Sequence, residues 1–187
     1  MSHRSGADAK LTELALAAGR GESAALEEFI RTTQRDVIRV ICHLSGPQDA
    51  EDLAQETFLR AIGALHRFEG RSSARTWLIS IARRVVVDAR RHARARPRLA
   101  SQDVQAVFEA TCVAPGMGLE TRASVLDLLS GLSPERREAL VLTQVLGFSY
   151  AEAADVTGVP IGTVRSRVSR ARADLEAATP SNHVATG

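Results

Sequence analysis

A helix-turn-helix pattern between residues 148 and 172 constrains the fold of this chain more than any other stretch of its sequence. Ser149 and Glu152 have the spacing of a capping box, which predicts that a short helix begins there. Gly158 then supplies a turn, and Pro160 stands where a second helix would begin, a position at which its missing N–H costs nothing. The stretch therefore predicts two short helices joined by a tight turn.

The second predicted helix, from Ile161, has two unlike faces. Its expected core positions are Val164, Val168, Ala171 and Leu175. The opposite face is small and bordered by arginines, which lets a helix approach a duplex while the arginines reach guanine edges or phosphates. The positions expected to contact DNA are Arg165, Ser166, Arg167, Ser169, Arg170 and Arg172. Arg172 lies nearer the packing margin, so we expect it to contact phosphate. Helical hairpins of ordinary bundles also carry arginines on a solvated face, so the pattern alone leaves a structural role open.

The composition predicts an all-α protein. Of the 187 residues 44% are apolar and only 4% are aromatic, so the core must rest on Ala, Leu, Val and Ile, which favours close helix packing. No signal peptide and no apolar run of membrane-spanning length is recognisable, so a cytoplasmic location is expected. The two cysteines and five histidines are scattered along the chain, so we expect no metal site and no cofactor.

Breaks in helical periodicity divide the chain into two domains. Residues 1–9 are polar and are expected to be disordered. Successive helical patterns predict an N-terminal helical domain over residues 10–97. The weakly periodic residues 98–119 predict a flexible linker, and periodicity resumes in a C-terminal domain over 120–178, before a disordered tail at 179–187. The expected architecture is two small helical domains joined by this linker.

The helix predicted over residues 48–65 begins with a cluster of acids. They are Asp49, Glu51, Asp52 and Glu56. Acidic side chains stabilise the positive end of a helix dipole, which gives each a structural role worth about 0.3–1 kcal/mol. With Gln55 they also form a patch suited to a basic partner. Both interpretations of the cluster stay open at this point.

Arginines dominate the helix predicted from residue 75. The segment 75–98 has eight arginines against one acid, Asp88, a local charge of +7. Such density is typical of a phosphate-binding surface. Apolar residues at helical spacing give the same helix a buried side, so it is an amphipathic element of the fold. For Trp77, burial in the N-terminal core and contact with DNA are equally open.

Four segments, in this order, carry a resemblance to a known family. They are residues 49–61 (DAEDLAQETFLRA), 75–83 (RTWLISIAR), 132–140 (LSPERREAL) and 160–167 (PIGTVRSR). Together they resemble the group IV, or extracytoplasmic-function (ECF), sigma factors of bacterial RNA polymerase, and the arginine-rich composition is similar to that of actinobacterial members. The resemblance implies a transcription initiation factor that directs core polymerase to promoters by recognising minus-35 and minus-10 elements and assisting DNA melting.

The resemblance also implies a role for each surface. The residues that match the family's contact with the coiled coil of the largest polymerase subunit are Asp52, Leu53, Gln55, Glu56 and Phe58. The residues implied in minus-10 recognition and melting are Phe68, Arg71, Ser72, Ser73, Trp77, Arg83, Arg84, Arg90 and Arg91. The helix from Ile161 would read the minus-35 element near the polymerase flap. Family members are often held inactive by an anti-sigma factor, although no residue here identifies one.

Two other classes of protein compete with this interpretation. A helix-turn-helix repressor or response regulator would bind an operator without polymerase, but it leaves the acidic helix and the distant basic helix unexplained. No Ser/His/Asp, metal-ligand or phosphate-loop constellation can be assembled from the sequence, so no enzymatic activity is expected.

Overall fold

Helices make up the regular structure of residues 2–95 and 127–178, the ranges that the computed structural model describes. The N-terminal helices are α1 (Ser2–Gly19), α2 (Ser23–Ser45), α3 (Ala50–Ala64) and α4 (Ala74–Ala95), with a 3-10 turn, Leu65–Arg67, after α3. The C-terminal helices are α5 (Pro134–Leu140), α6 (Tyr150–Thr157) and α7 (Ile161–Ala178), with a π-helix, Val141–Val145, after α5. No strand occurs in the described ranges, and the predicted all-α fold is confirmed.

Helices α1 to α4 share a core in which small side chains let the helices approach closely. Its largest fully buried side chains include Phe29, Ile41, Leu78 and Ile79. Ala15 and Ala82 are also completely buried, at 0% exposure. A Cβ at Gly19 would lie 2.6 Å from the carbonyl oxygen of Leu65, so only glycine allows the end of α1 to approach the 3-10 turn this closely.

Helix α1 is longer than the sequence predicts. It begins at Ser2, so residues 2–9, which were expected to be disordered, are helical. Tertiary contacts account for its stability. Thr12 Oγ1 accepts a hydrogen bond from the backbone N–H of Ala74 at 3.1 Å, and Leu11 is buried. Helix α1 is therefore anchored to the first turn of α4, a partner 62 residues away in sequence.

Helix α2 buries three side chains that are polar or reactive. Thr33 donates its hydroxyl hydrogen to the carbonyl of Phe29 at 2.7 Å. Cys42 is buried and disulfide-bonded, and the chain's other cysteine, Cys112, lies outside the described residues. His43 is 4% exposed, and neither of its ring nitrogens has a hydrogen-bond partner in the described part of the chain.

The C-terminal helices form the predicted helix-turn-helix. Ser149 Oγ accepts from the N–H of Glu152 at 3.2 Å, and the Glu152 carboxylate accepts from the N–H of Ser149 at 2.8 Å, which completes the capping box. Gly158 then takes a left-handed conformation with φ of 70°, which ends α6 and which other residues adopt only with strain. The two helices are thus fixed by their own local sequence.

A π-helix follows α5, where the apolar spacing after Ser133 and Pro134 predicts one helix that runs to Gly147. The α-helical part, α5, starts at Pro134 after the N-cap residue Ser133 and ends at Leu140. The chain continues as the π-helix, whose wider turn is closed by the N–H of Leu146 bonding to the carbonyl of Val141 at 2.9 Å. This widening precedes the turn into α6.

Arg75, in the first turn of α4, joins the N-terminal helices to the C-terminal ones. Its Nε donates to Oδ2 of Asp36 on α2 at 2.7 Å, and its Nη2 donates to the carbonyl of Leu146 at 2.9 Å. The guanidinium carbon lies 4.4 Å from the ring centroid of Phe148. One largely buried side chain, 13% exposed, therefore binds groups from both parts of the chain.

Candidate nucleic-acid interface

Helix α7 keeps the predicted DNA-contacting side chains out of the core. Arg165, Ser166, Ser169, Arg170 and Arg172 are exposed, and Arg167 is half-buried. On the opposite side Val164, Val168 and Ala171 are at most 1% exposed, as predicted. Leu175, also expected in the core, is only half-buried against it. The helix thus has a buried apolar face and an exposed face of small and basic residues.

The arginines of α7 differ in how their side chains are held. The guanidinium carbon of Arg165 lies 5.8 Å from the ring centroid of Tyr150 on α6. Arg172 donates from Nη2 to Oε1 of Gln144 at 2.7 Å. Arg167 and Arg170 have no hydrogen bond or ion pair with other residues that the structure describes. Within residues 2–95 and 127–178, neither of the last two side chains is therefore fixed by a hydrogen bond or an ion pair.

Helix α3 exposes a face that is both acidic and apolar. Asp52 and Gln55 are exposed, while Glu56 is half-buried and accepts from Arg60 Nε at 2.7 Å. Leu59 is 67% exposed and Ile62 is 41% exposed. These residues recur every three or four positions, so they lie along the side of α3 that faces away from the core. We call this the α3 outer face.

Two of the residues predicted to bind polymerase belong instead to the packed side of α3. Leu53 is only 9% exposed and is part of the core, and Phe58 is half-buried against it. Ile62, which helical spacing groups with Leu53, Phe58 and Leu65 in one apolar stripe, is exposed, and Leu59 was not among the predicted binding residues. Their spacing from Gln55 would have indicated the outer face, because four residues make about one helical turn.

The segment from Phe68 to Trp77 combines aromatic packing with a capped helix start. The Phe68 and Trp77 ring centroids are 4.9 Å apart, and both side chains pack half-buried against the core. Ser73 Oγ accepts from the N–H of Thr76 at 3.1 Å and so caps α4. Arg71 is exposed and forms an ion pair with Glu69 at 3.0 Å. Ser73 therefore has a structural role, whereas Arg71 projects into solvent.

Trp77 is partly packed in the core and partly open to a neighbouring cleft. One side of it packs against the N-terminal core, and another lines an open cleft of about 190 Å³. The other lining residues are Arg60, Ala64, Ile81 and Arg84. The lining thus combines apolar side chains with two arginines, a combination that suits an unstacked base and its phosphate.

The basic helix α4 directs its arginines to two different sides. Arg84 and Arg91 are exposed, and Arg90 is half-buried. Arg83 donates from Nε to Oε1 of Glu138 on α5 at 2.7 Å, with side chains 28% and 10% exposed. Arg83, which was expected to contact DNA, is therefore engaged with the C-terminal helices in this arrangement.

The one acid of the basic helix is neutralised within the fold. Arg60 on α3 donates to Oδ2 of Asp88 at 2.9 Å. This hydrogen bond lowers the pKa of Asp88 below its ordinary value and raises the pKa of Arg60. Both side chains are exposed, so the pair contributes little to stability. Its effect is to leave the nearby arginines as the dominant charges.

Residues 2–95 and 127–178 were also compared with the requirements of a membrane span and of a metal site. No helix there is both long and apolar enough to cross a membrane. That part of the chain also contains no group of three side chains placed to hold a metal ion.

Two family models match the chain. Sigma-70 region 2 matches residues 29–96, and Sigma-70, region 4 matches residues 122–175. The chain is 51% identical over 165 residues to the ECF RNA polymerase sigma factor SigC of Mycobacterium tuberculosis, a match that covers 88% of this chain and 89% of that protein. It is 32% identical over 174 residues to the RNA polymerase sigma-H factor of Pseudomonas aeruginosa, with 85% and 88% coverage.

Two solved structures share the fold over most of their length. CnrH in complex with the cytosolic domain of CnrY superposes with a TM-score of 0.70 at 27% identity, covering 90% of this chain and 96% of that one. The sigma factor RpoE of Bartonella quintana, in complex with the anti-sigma factor NepR, gives a TM-score of 0.66 at 29% identity, with coverage of 81% and 94%. With both regions matched in order and relatives covering most of its length, the chain belongs to the sigma-70 family of RNA polymerase sigma factors, in the extracytoplasmic-function group.

Proposed function

We propose that this sigma factor binds core RNA polymerase through the α3 outer face and reads a promoter with two separate surfaces. One surface is the exposed face of α7, and the other runs from Phe68 through α4. As a sigma factor the chain is a transcription initiation factor that directs core polymerase to promoters. The observation that carries the assignment of α7 is its exposed small and basic face, opposite a fully buried apolar one.

The α3 outer face supplies the contacts for polymerase. Asp52, Gln55 and Glu56 provide charge and hydrogen bonds, and Leu59 and Ile62 provide apolar area that the fold leaves uncovered. An acidic rim around exposed leucine and isoleucine suits a partner helix that is itself basic and apolar, such as one strand of a coiled coil. We therefore extend the predicted polymerase-binding set to Leu59 and Ile62, and we assign Leu53 and Phe58 to the support of this face.

Helix α7 reads the minus-35 element. Ser166 and Ser169 allow the backbone to enter the major groove, and Arg165 and Arg170 reach base edges. Ser166 donates its own hydroxyl hydrogen to the carbonyl of Thr163 at 3.0 Å, so toward a base its oxygen serves as an acceptor. Arg172, held by Gln144, is the candidate for a phosphate contact.

The segment from Phe68 through α4 handles the minus-10 element. The cleft beside Trp77 takes an unpaired base, and Arg84 and Arg91 are free to contact the phosphates on either side. Arg71 and Ser72 lie in the loop that leads into this cleft. Arg83 joins this surface once its ion pair with Glu138 opens.

The remaining assignments follow from the family. We place the N-terminal domain at residues 10–97, extended by the first turns of α1, and the C-terminal domain at 120–178. The proposed linker, 98–119, and the proposed tail, 179–187, lie outside the described residues. The protein acts in the cytoplasm, catalyses no reaction itself, and is a candidate for an anti-sigma partner, as the solved relatives in complexes suggest.

Run-off transcription with purified core polymerase tests the function. Core polymerase plus this chain is given a library of candidate promoters, and we expect transcripts with defined starts that neither component yields alone. A helix-turn-helix repressor would instead bind operators tightly without polymerase and give no transcript. That second outcome would contradict the proposal.

A matched pair of variants tests the docking surface. Asp52→Lys reverses a charge on the α3 outer face, whereas Glu51→Lys reverses an exposed charge one residue earlier, about 100° around the helix. Both lie in the first turn of α3, so their cost to helix stability is similar. We expect only Asp52→Lys to weaken the binding of core polymerase strongly. Equal binding by the two variants would remove the acidic face from the mechanism.

A further inference from the structure

The side chains of Tyr150 and Arg165 form a cation–π contact between α6 and α7. Tyr150 is the first residue of α6, and Arg165 lies in the second turn of α7. The guanidinium carbon is 5.8 Å from the ring centroid, within the range of a cation–π interaction. The contact joins the supporting helix of the motif to the helix proposed to read DNA.

The Tyr150 ring is held in place by its surroundings. Ser149 and Glu152 close the capping box on either side of it, so the backbone at the start of α6 has a single conformation. The ring itself is half-buried and packs against the core. A tyrosine side chain has only two rotatable torsions, so once packed it forms a rigid platform.

The type of contact decides what Arg165 can still do. A carboxylate or amide partner uses guanidinium N–H groups, as Gln144 does with Arg172. An aromatic ring instead contacts the flat face of the guanidinium and leaves the N–H groups at its edge free. Those edge groups are the ones that donate two parallel hydrogen bonds to O6 and N7 of guanine.

We propose that Tyr150 is a positioning residue that presets Arg165 for a bidentate contact with a guanine in the minus-35 element. This rests on the proposed function of α7. Arg170, which has no side-chain partner in the described part of the chain, lacks such a platform and must be ordered by the DNA itself. The arginine held over the ring therefore loses less conformational freedom on binding than Arg170 does.

The test compares Tyr150→Phe, which keeps the ring, with Tyr150→Leu, which removes it. Holoenzyme assembled from core polymerase and the full-length variant is bound to a promoter and to versions with each minus-35 base pair replaced in turn. We expect Tyr150→Leu to weaken binding to the best promoter by about two- to five-fold and to relax discrimination at one base pair. Tyr150→Phe should keep both properties.

Arg165→Ala, alone and combined with Tyr150→Leu, identifies that base pair. We expect Arg165→Ala to relax discrimination at the same position, and the double variant to lose no more than Arg165→Ala alone. Thermal unfolding of each variant checks that the fold survives. A loss of discrimination in Tyr150→Leu that Tyr150→Phe restores cannot come from destabilisation alone.

The outcomes separate this inference from the function on which it rests. If Arg165→Ala changes discrimination at no base pair, the proposed base-reading role of Arg165 is wrong. If Arg165→Ala relaxes one base pair but Tyr150→Leu leaves that discrimination intact, the positioning role is wrong while the reading role stands. Equal weakening at every promoter sequence by Tyr150→Leu, additive with Arg165→Ala, would show that the ring only supports the fold.

Discussion

Acid should destabilise this protein through one buried histidine. His43 in α2 is 4% exposed, and burial, with the nearby positive charge of Arg39 contributing, lowers its pKa from 6.5 to about 4. The imidazole is therefore neutral in the folded protein at pH 7. In the unfolded chain it is solvated and its pKa returns to about 6.5.

The direction and size of the effect follow from this difference. Below pH 6.5 the unfolded state binds a proton that the folded state excludes until about pH 4, so the free energy of unfolding falls across this window. At about 1.4 kcal/mol for each pKa unit, the full loss is about 3 kcal/mol. At pH 5 roughly 2 kcal/mol of it is already lost. Above pH 6.5 the contribution of His43 is constant.

Urea unfolding at pH 7.5 and pH 5.0 measures the effect. The quantity to compare is the change in the free energy of unfolding between the two pH values, so a constant cost of substitution cancels. On acidification, the free energy of unfolding of His43→Leu should fall by about 2 kcal/mol less than that of the natural chain. His66→Leu, which replaces an exposed histidine, is the control for the substitution itself. If His43→Leu and the natural chain are equally sensitive to pH, His43 is not the buried proton acceptor inferred here.

Three further outcomes test the surfaces described above. Glu138→Gln removes the charge paired with Arg83, so the N-terminal and C-terminal helices should separate and the radius of gyration in small-angle scattering should rise. Glu135→Gln, exposed on the same helix, should leave the radius of gyration unchanged. Leu59→Asp should weaken binding to core polymerase by about tenfold or more and leave urea unfolding unchanged, because this leucine is 67% exposed. Unchanged binding would exclude it from the docking face. Arg170→Ala should cost about 1–3 kcal/mol in promoter binding and relax preference at one base pair, while a uniform loss across sequences would make it a phosphate contact.

The helix-turn-helix was predictable because its determinants are local. The capping box joins Ser149 to a residue three positions away, and Gly158 ends α6 by its own backbone conformation. Apolar spacing of three and four residues likewise placed the buried face of α7. Interactions of this range are visible in the sequence without knowledge of the fold.

The buried face of α3 was predicted less well, because several of the side chains that fill it are small. Helical spacing groups Leu53, Phe58, Ile62 and Leu65 into one apolar stripe and so predicts these large residues as the core face. The structure buries Ala54, Thr57 and Ala61 beside Leu53 and Leu65, because close helix packing needs small side chains there. Ile62 and Leu59 instead point outward and are left for a partner. A pattern weighted by hydrophobicity alone misplaces the buried face of such a helix.

Contacts between distant segments were beyond the reach of the sequence. The Arg83–Glu138 pair spans 55 residues, and the hydrogen bond from Arg75 to Leu146 spans 71. Each residue has several possible partners of the right charge, and only the fold selects one. The start of α1 at Ser2 and the π-helix after Leu140 have no local signal that we can name.

The contact made by Arg75 sets a conformational equilibrium for promoter binding. Elements named minus 35 and minus 10 are about 25 base pairs apart, or about 85 Å of duplex. Two domains of about 60 to 90 residues that touch have centres only about 30 Å apart. Only molecules in which the two domains have separated can therefore contact both elements, and we call this the open form. The apparent promoter affinity of the free chain is the affinity of the open form multiplied by the fraction of molecules that are open. Each 1.4 kcal/mol by which the contacts of Arg75 and Arg83 stabilise the closed form lowers that affinity about tenfold. A polymerase that binds the open form preferentially shifts the population toward it and restores the affinity.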